Sequence, residues 1–452
     1  MSSSTSDTVQ TPSAPPETGN GRHGTAESSS VAGVCTPLIR FLDSEGPVAI
    51  TAYDGSVAGN PSAPLRIEIR SPEALGYLLS APGELGLARA YVTGNLDVVG
   101  GVYDVIRALV AVVERLSTAE RLAVLRELGP RHLRRLPVPP EEAPSRLRRS
   151  LLGLRHSRNR DSVAIARHYD VSNRFYELVL GPSMAYTCAC YPTAEADLEQ
   201  ADLEQAQHHK FDLVCRKLSL RPGMRLLDVG CGWGGMVAHA VEHYGVHAVG
   251  VTLSREQAEW ARENLRRRGL SDRAEIRHGD YRNVTETGFD AVSSIGLTEH
   301  VGARNLPGYF RFLSARLRDG GRLLNHCITR STTREKNRPG PFIDRYVFPD
   351  GELEAVGTIV AAMQDNGFEV RHSENLREHY ARTLAAWCAN LEAHWPEAVG
   401  EAGARRARVW ALYMAASRLA FERRKIELHQ VLGVKTAATG EAWMPLRPDW
   451  GV

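Results

Sequence analysis

Residues Leu226-Leu-Asp-Val-Gly-Cys-Gly-Trp-Gly-Gly-Met236 set a short apolar run against a loop holding four glycines. The apolar run reads as a buried strand with Asp228 near its end. Gly230, Gly232 and Gly234 remove the side chains that would keep backbone from closing around an adenosyl group, and Met236 to Ala240 read as the helix that follows. Strand, tight turn and helix in this order form a nucleotide cradle, and they point to S-adenosylmethionine.

The loop alone does not decide the ligand, because Gly230, Gly232 and Gly235 also satisfy the G-x-G-x-x-G dinucleotide pattern. A nicotinamide site places an acid near the end of the second strand, about 20 residues on, to hold the ribose. Here the second strand, His247 to Leu253, ends Val-Thr-Leu-Ser254 without one. Many S-adenosylmethionine sites also carry that acid, so Thr252 and Gln257 must take over its polar contacts. Asp280 and Tyr281, after the strand-like Ala274 to Arg277, supply a candidate adenine clamp: a carboxylate for the exocyclic amine and an aromatic face.

A chain of 452 residues exceeds what one core organises, so two domains with loose ends are expected. The net charge of +2 gives no global drive toward nucleic acid. No apolar run reaches the 18 or so residues that span a bilayer; Val99 to Leu116 comes nearest and is broken by Asp104, Arg107 and Glu114. The Ser/Thr/Pro/Gly-rich first 30 residues lack the basic-then-apolar order of a secretory signal, so a cytoplasmic protein is expected. The seven cysteines contain no C-x-x-C and no zinc spacing, and no metal is expected; Cys188 and Cys190 would share a face if they lay on a strand.

The expected organisation is a disordered tail over 1–35, a smaller α+β domain over 36–136, a linker over 137–160, a catalytic domain over 161–434 and a C-terminal tail over 435–452. In the first domain Ala49–Tyr53 and Leu65–Arg70 read as strands and Gly101–Leu128 as helix. The linker is Pro-rich and then carries Arg146, Arg148, Arg149, Arg155, Arg158 and Arg160, a solvated face or a contact for anionic lipid head groups. Beyond it helices and strands alternate: helix Leu203–Leu218, strand Arg225–Val229, helix to Tyr244, strand His247–Leu253, helix Arg255–Gly269, then strands Phe289–Ile295 and Gly321–Ile328. This is an α/β, doubly wound, mostly parallel sheet of the Rossmann-like type, with ligands at the carboxyl ends of its strands. Helices are expected at Arg382–Trp395 and Arg405–Glu427. The pentapeptide Ala-Asp-Leu-Glu-Gln at 196 and 201 is a local duplication.

Several stretches together resemble the cyclopropane-fatty-acid synthase family of class I methyltransferases: Ala166–Asn173, Ala185-Tyr-Thr-Cys-Ala-Cys-Tyr191, the glycine loop, Ser294-Ile-Gly-Leu-Thr-Glu-His-Val-Gly302, His326-Cys-Ile328, Pro341–Pro349 and His379–Leu384. The match runs over about residues 160 to 434. The preceding domain, with Gly83–Gly94, is similar to that of the phospholipid-modifying members. The resemblance implies a seven-stranded sheet and methylene or methyl transfer from S-adenosylmethionine to the double bond of an unsaturated phospholipid acyl chain. Cyclopropane formation would proceed through a carbocation and a bound bicarbonate base, in a homodimer at an anionic membrane surface. It assigns Cys188, Glu299, His326, Ile328 and Tyr380 to the bicarbonate, the Cys and Ile through backbone groups. Around the cofactor it places Tyr186, Thr187, Gly230, Gly232, Thr252, Gln257 and Tyr281, with Asp228, Leu253 and Asp280 beside them. Thr187 stands where the family often has serine and Cys327 where threonine is common. His168 lies in a family segment without a derivable role.

An alkene is a weak nucleophile, so a closed apolar slot must align it with the sulfonium methyl and exclude water. Two alternatives stay open: a mid-chain methyltransferase giving methylene- or methyl-branched chains, and a catalytically silent lipid-binding protein.

Overall fold

The computed structural model describes residues 33–129, 136–144, 171–192, 202–334, 339–349 and 351–450. His168 and the arginines of the linker lie outside the described residues.

The N-terminal unit is built on strands β1 (Val48–Ala52), β2 (Val57–Gly59), β3 (Leu65–Ile69) and β4 (Leu96–Val99), in the order β2-β1-β3-β4. Alternation in Leu65-Arg-Ile-Glu-Ile69 puts Ile67 and Ile69 inward, each 5 % exposed. Val34 and Cys35, expected in the tail, are buried in this unit, where the Val34 amide donates to Asp54 at 2.7 Å. The single helix expected over Gly101–Leu128 is two, Val102–Arg115 and Thr118–Leu128. Ser117 breaks it: its hydroxyl accepts from the Glu120 amide while the Glu120 carboxylate accepts from the Ser117 amide, a capping box that starts a new helix.

The second sheet runs β11 (Glu369–Asn375), β12 (Ile426–Val434), β9 (Leu317–Arg330), β8 (Phe289–Ile295), β5 (Arg225–Val229), β6 (His247–Thr252), β7 (Ala274–His278). Seven strands form this path, and the two-residue β10 (Glu354–Ala355) pairs beside the end of β9. Strands β5 to β9 are mutually parallel, and β12 is antiparallel between β9 and β11. Helices cover both faces, so Leu226, Leu227 and Val229 are fully buried, each contributing about 1.5–3 kcal/mol. The helix expected over Arg405–Glu427 ends at Glu422. Arg424 takes φ +55° and turns the chain into β12, so Glu427 is a strand residue. The other expected helix is longer than read, Arg377–Ala393.

The two units meet over helix Ala404–Glu422. Arg408 clamps Asp97 of β4 through two bonds of 3.0 and 2.8 Å. From the described part of the linker, Glu142 is gripped by Arg89 of the N-terminal unit (2.7 and 2.9 Å) and by Arg345 of the catalytic unit.

Candidate active site

At the carboxyl end of β5 the chain reverses tightly: the amides of Gly230 and Cys231 both donate to the Val251 carbonyl, at 2.9 and 3.0 Å. Gly230 has φ +77°, and a Cβ there would lie 3.2 Å from Leu297 Cβ. Both features favour glycine at this position. Helix Gly235–Tyr244 starts directly behind the loop.

The cradle so formed has two adjoining parts. One, about 100 Å³, is lined by Gly230, Gly232, Thr252, Leu253, Gln257 and Tyr281. The other, about 80 Å³, is lined by Tyr186, Thr187, Asp228, Trp233 and Lys210 and shares Gly230, Gly232 and Gln257 with the first. Thr252, buried where an acid was sought, donates to Gln257 Oε1 at 2.8 Å, so two neutral groups stand at the end of β6. Asp228 accepts from Ser293 Oγ at 2.7 Å, and burial pushes its carboxyl up to about 6. Nine of the ten expected cofactor residues line this cradle. Asp280 does not: its carboxylate turns back to accept from the Arg282 amide (2.9 Å) and pairs with the Arg282 guanidinium, so Tyr281 faces the pocket without it.

Through Tyr186, Thr187 and Gly296 the cradle adjoins a cavity of about 410 Å³. Its walls are mostly apolar, with Phe342, Phe348, Leu384, Phe421 and Leu428 among them. The Tyr380 ring packs 4.5 Å from that of Phe421, and Tyr186 lies 5.4 Å from Trp387. Exposed Glu84, Gly340 and Lys425 mark its mouth, the first from the N-terminal unit, where Glu84 accepts from the Phe342 amide at 3.0 Å.

Cys188, Glu299, His326, Ile328 and Tyr380 all line this one cavity. Glu299 Oε1 accepts from the Ile328 amide at 2.7 Å, while Oε2 is buried with no hydrogen-bond partner among the described residues. Burial pushes the Glu299 carboxyl up to about 7. His326 Nε2 is likewise buried and unpartnered, and burial, with Lys210 and Lys217, holds the imidazole well below its usual pKa and therefore neutral. The Ile328 amide is thus engaged by Glu299 in this structure. Cys188 sits in a loop rather than a strand. The loop is stitched down by Gln207 to the Thr187 carbonyl (2.9 Å) and by the Ala189 amide to Thr383 Oγ1 (3.0 Å). Burial pushes its thiol well up, so it stays protonated. Among the described residues no group of three or more His, Cys, Asp or Glu is placed to hold a metal ion.

Sequence reasoning missed the buried lysines of helix Leu203–Leu218. Lys210 is 1 % exposed and donates to Thr187 Oγ1 at 3.0 Å; Lys217 is fully buried. A signal existed: the two are seven residues apart, on the stripe that carries Ala206, Leu213 and Val214, where a cation stays only if it has a partner.

The residues fit S-adenosylmethionine: glycines at positive φ where the backbone must approach a ligand, and a buried acid-and-amide set for its polar groups. They also fit a small anion, since a neutral imidazole and an acid, each with an unused polar atom, line the same otherwise oily cavity.

Residues 156–431 match the family model described as mycolic acid cyclopropane synthetase. A protein of Mycobacterium tuberculosis named a probable fatty acid methyltransferase is 54 % identical over 89 % of this chain and 95 % of its own length. The cyclopropane-fatty-acyl-phospholipid synthase of Escherichia coli K12 is 32 % identical over 83 % of this chain and 89 % of its own. The crystal structure of mycolic acid cyclopropane synthase CmaA1 complexed with SAH and CTAB superposes with a TM-score of 0.56 at 31 % identity, covering 61 % of this chain and 98 % of that one. The chain belongs to the mycolic acid cyclopropane synthetase family and is an S-adenosylmethionine-dependent methyltransferase with the class I fold.

Proposed function

We propose that the chain converts the double bond of an unsaturated phospholipid acyl chain to a cyclopropane ring, with bicarbonate as the base. One observation carries this: Glu299 Oε2 and His326 Nε2, both buried and unpartnered, line the same apolar cavity, and that cavity adjoins the cofactor cradle. Bound S-adenosylmethionine would supply an electrophilic methyl group, and bound bicarbonate a small base.

The residues divide the remaining work. Gly230, Gly232, Thr252, Leu253, Gln257 and Tyr281 hold the cofactor. Tyr186 and Thr187, shared by cradle and cavity, stand where the two substrates meet. The aromatic walls exclude water, which would otherwise capture a positive carbon. Neutral His326 donates from Nε2 to the anion. Glu299 accepts the anion's hydroxyl proton at Oε2 and keeps the anion basic, and Tyr380 closes the same wall. The chain enters from a membrane surface at the mouth, where exposed Lys425 stands near the place a phosphate head group would remain. No helix of the described residues is long and apolar enough to cross a membrane.

A second product is favoured by the 54 % relative's name: the same methyl transfer, then a 1,2-hydride shift that moves the positive charge to the methyl-bearing carbon and loss of a proton from that methyl group to the base, leaving a methylene branch. Purified protein with S-adenosylmethionine and oleoyl phospholipid vesicles, read by mass spectrometry and proton NMR, separates the two. Ring-methylene signals support the proposal; exomethylene signals in their place overturn it in favour of the second.

A further inference from the structure

We infer that Lys217 and Gln430 are positioning residues that fix the tautomer of His326, so that its proton sits on Nε2 and faces the cavity. This role presupposes the anion-binding function proposed above.

Glu374, Gln430 and His326 stand directly opposite one another on β11, β12 and β9, one residue per strand in a single row. Helix Leu203–Leu218 brings Lys217 to that row. Lys217 Nζ donates to Gln430 Oε1 at 2.6 Å and pairs with the Glu374 carboxylate. Gln430 Nε2 lies 3.2 Å from His326 Nδ1. Lys217 and Gln430 are fully buried and His326 is 1 % exposed, so water does not compete for the Lys217–Gln430 and Gln430–His326 contacts.

The direction of each bond follows from charge. An ammonium can only donate, so it must face the amide oxygen of Gln430 and not its NH₂. The amide is thereby oriented with its NH₂ toward His326. A neutral imidazole facing a donor must present a lone pair at Nδ1, which leaves the single proton on Nε2. The opposite tautomer would set two donors against each other at 3.2 Å in a site without water. It would also turn a lone pair, and not an N–H, toward an anion. Burial lowers the pKa of Lys217, and Glu374, on the edge strand with its side chain 37 % exposed, opposes this by favouring the ammonium, so the row connects a surface carboxylate to the orientation of a cavity proton.

The test is ¹⁵N NMR of protein labelled in its histidines, the His326 signals being identified by their loss in H326Q. The expected wild-type pattern has Nε2 protonated and Nδ1 bare, without any cofactor or bicarbonate added. In Q430E a carboxylate can accept from both Lys217 and the imidazole, so the proton should move to Nδ1. Turnover on vesicles should fall about 100-fold, as for other residues that orient a site imidazole. S-adenosylmethionine affinity by calorimetry should stay within about two-fold, which shows the variant folded. A wild-type His326 protonated on Nδ1, or a Q430E protein with the proton shifted and turnover unchanged, overturns the inference. If Q430E does not fold, the wild-type spectrum alone decides. The proposed function fails separately: wild-type turnover that is indifferent to bicarbonate, alongside the expected tautomer, removes the anion and leaves the Lys217–Gln430–His326 row standing.

Discussion

Replacing Glu299 by glutamine should have two effects of opposite sign. The amide keeps Oε1 as acceptor for the Ile328 N–H but can no longer take a proton at the other position. Turnover should fall by roughly 10²–10⁴, the usual worth of a positioned acid or base, or about 3–5 kcal/mol of barrier. Cofactor affinity should hardly move, because Glu299 lines the 410 Å³ cavity and not the cradle. Stability should rise. The carboxyl is pushed from 4.5 up to about 7, so between those values the folded state binds more protons than the unfolded one. Its contribution therefore worsens as pH rises through that window, and the full penalty, about 3 kcal/mol at most, applies above about pH 7. Urea unfolding of both proteins at pH 5 and pH 8, without bicarbonate, reads it: E299Q should gain on the wild type at pH 8 and lose most of that gain at pH 5. Equal pH dependence in the two proteins, or retained turnover in E299Q, would refute the reasoning.

Gly230→Ala puts a side chain into the left-handed region, at a cost of about 1–2 kcal/mol, and 3.2 Å from Leu297 Cβ. Calorimetry should show S-adenosylmethionine binding weakened at least about ten-fold, with a folded protein by circular dichroism. Ala420→Trp fills part of the 410 Å³ cavity. It should abolish turnover on oleoyl vesicles while calorimetry shows cofactor affinity unchanged; unimpaired turnover would place the acyl chain elsewhere. A double-mutant cycle on Asp97→Asn and Arg408→Met should give a coupling of about 1–3 kcal/mol at pH 7, since the pair is largely buried and bidentate. Burial opposes ionisation of Asp97, but Arg408 and the Val98 amide outweigh it and hold its carboxyl below 3.8, so the coupling should persist at pH 5 and be lost as pH falls below 3.8.

What could be read from the sequence was what neighbouring residues decide. The strand and glycine loop at 225–235 rest on a local backbone requirement, and helix Leu203–Leu218 on a regular apolar stripe. Strand β12 escaped because it is buried on both faces: Leu428 to Val434 show no alternation, and the residues before them continue a helical pattern until Arg424 turns. The half-exposed β11 escaped because its strand state depends on β12. The pairing of Asp280 with Arg282 escaped for a local reason, since the sequence does not reveal that Arg282 lies against the carboxylate. Glu299, His326 and Tyr380 carry no pattern of their own; only resemblance singled them out, because β9, the helix Thr298–Val301 and the helix Arg377–Ala393 bring them to one cavity from far apart. The Glu374–Gln430–His326 row needs the register of three strands, and Lys217 a helix packed against them, which no local signal contains.

A crystal structure with the demethylated cofactor and bicarbonate, at a resolution that separates individual oxygens, would look straight at the site. Density for a planar three-oxygen anion within hydrogen-bond distance of His326 Nε2 and Glu299 Oε2 is the expected result. A cavity wall closed there by protein side chains, or Glu299 Oε2 and His326 Nε2 bonded to each other with no room between them, would contradict it.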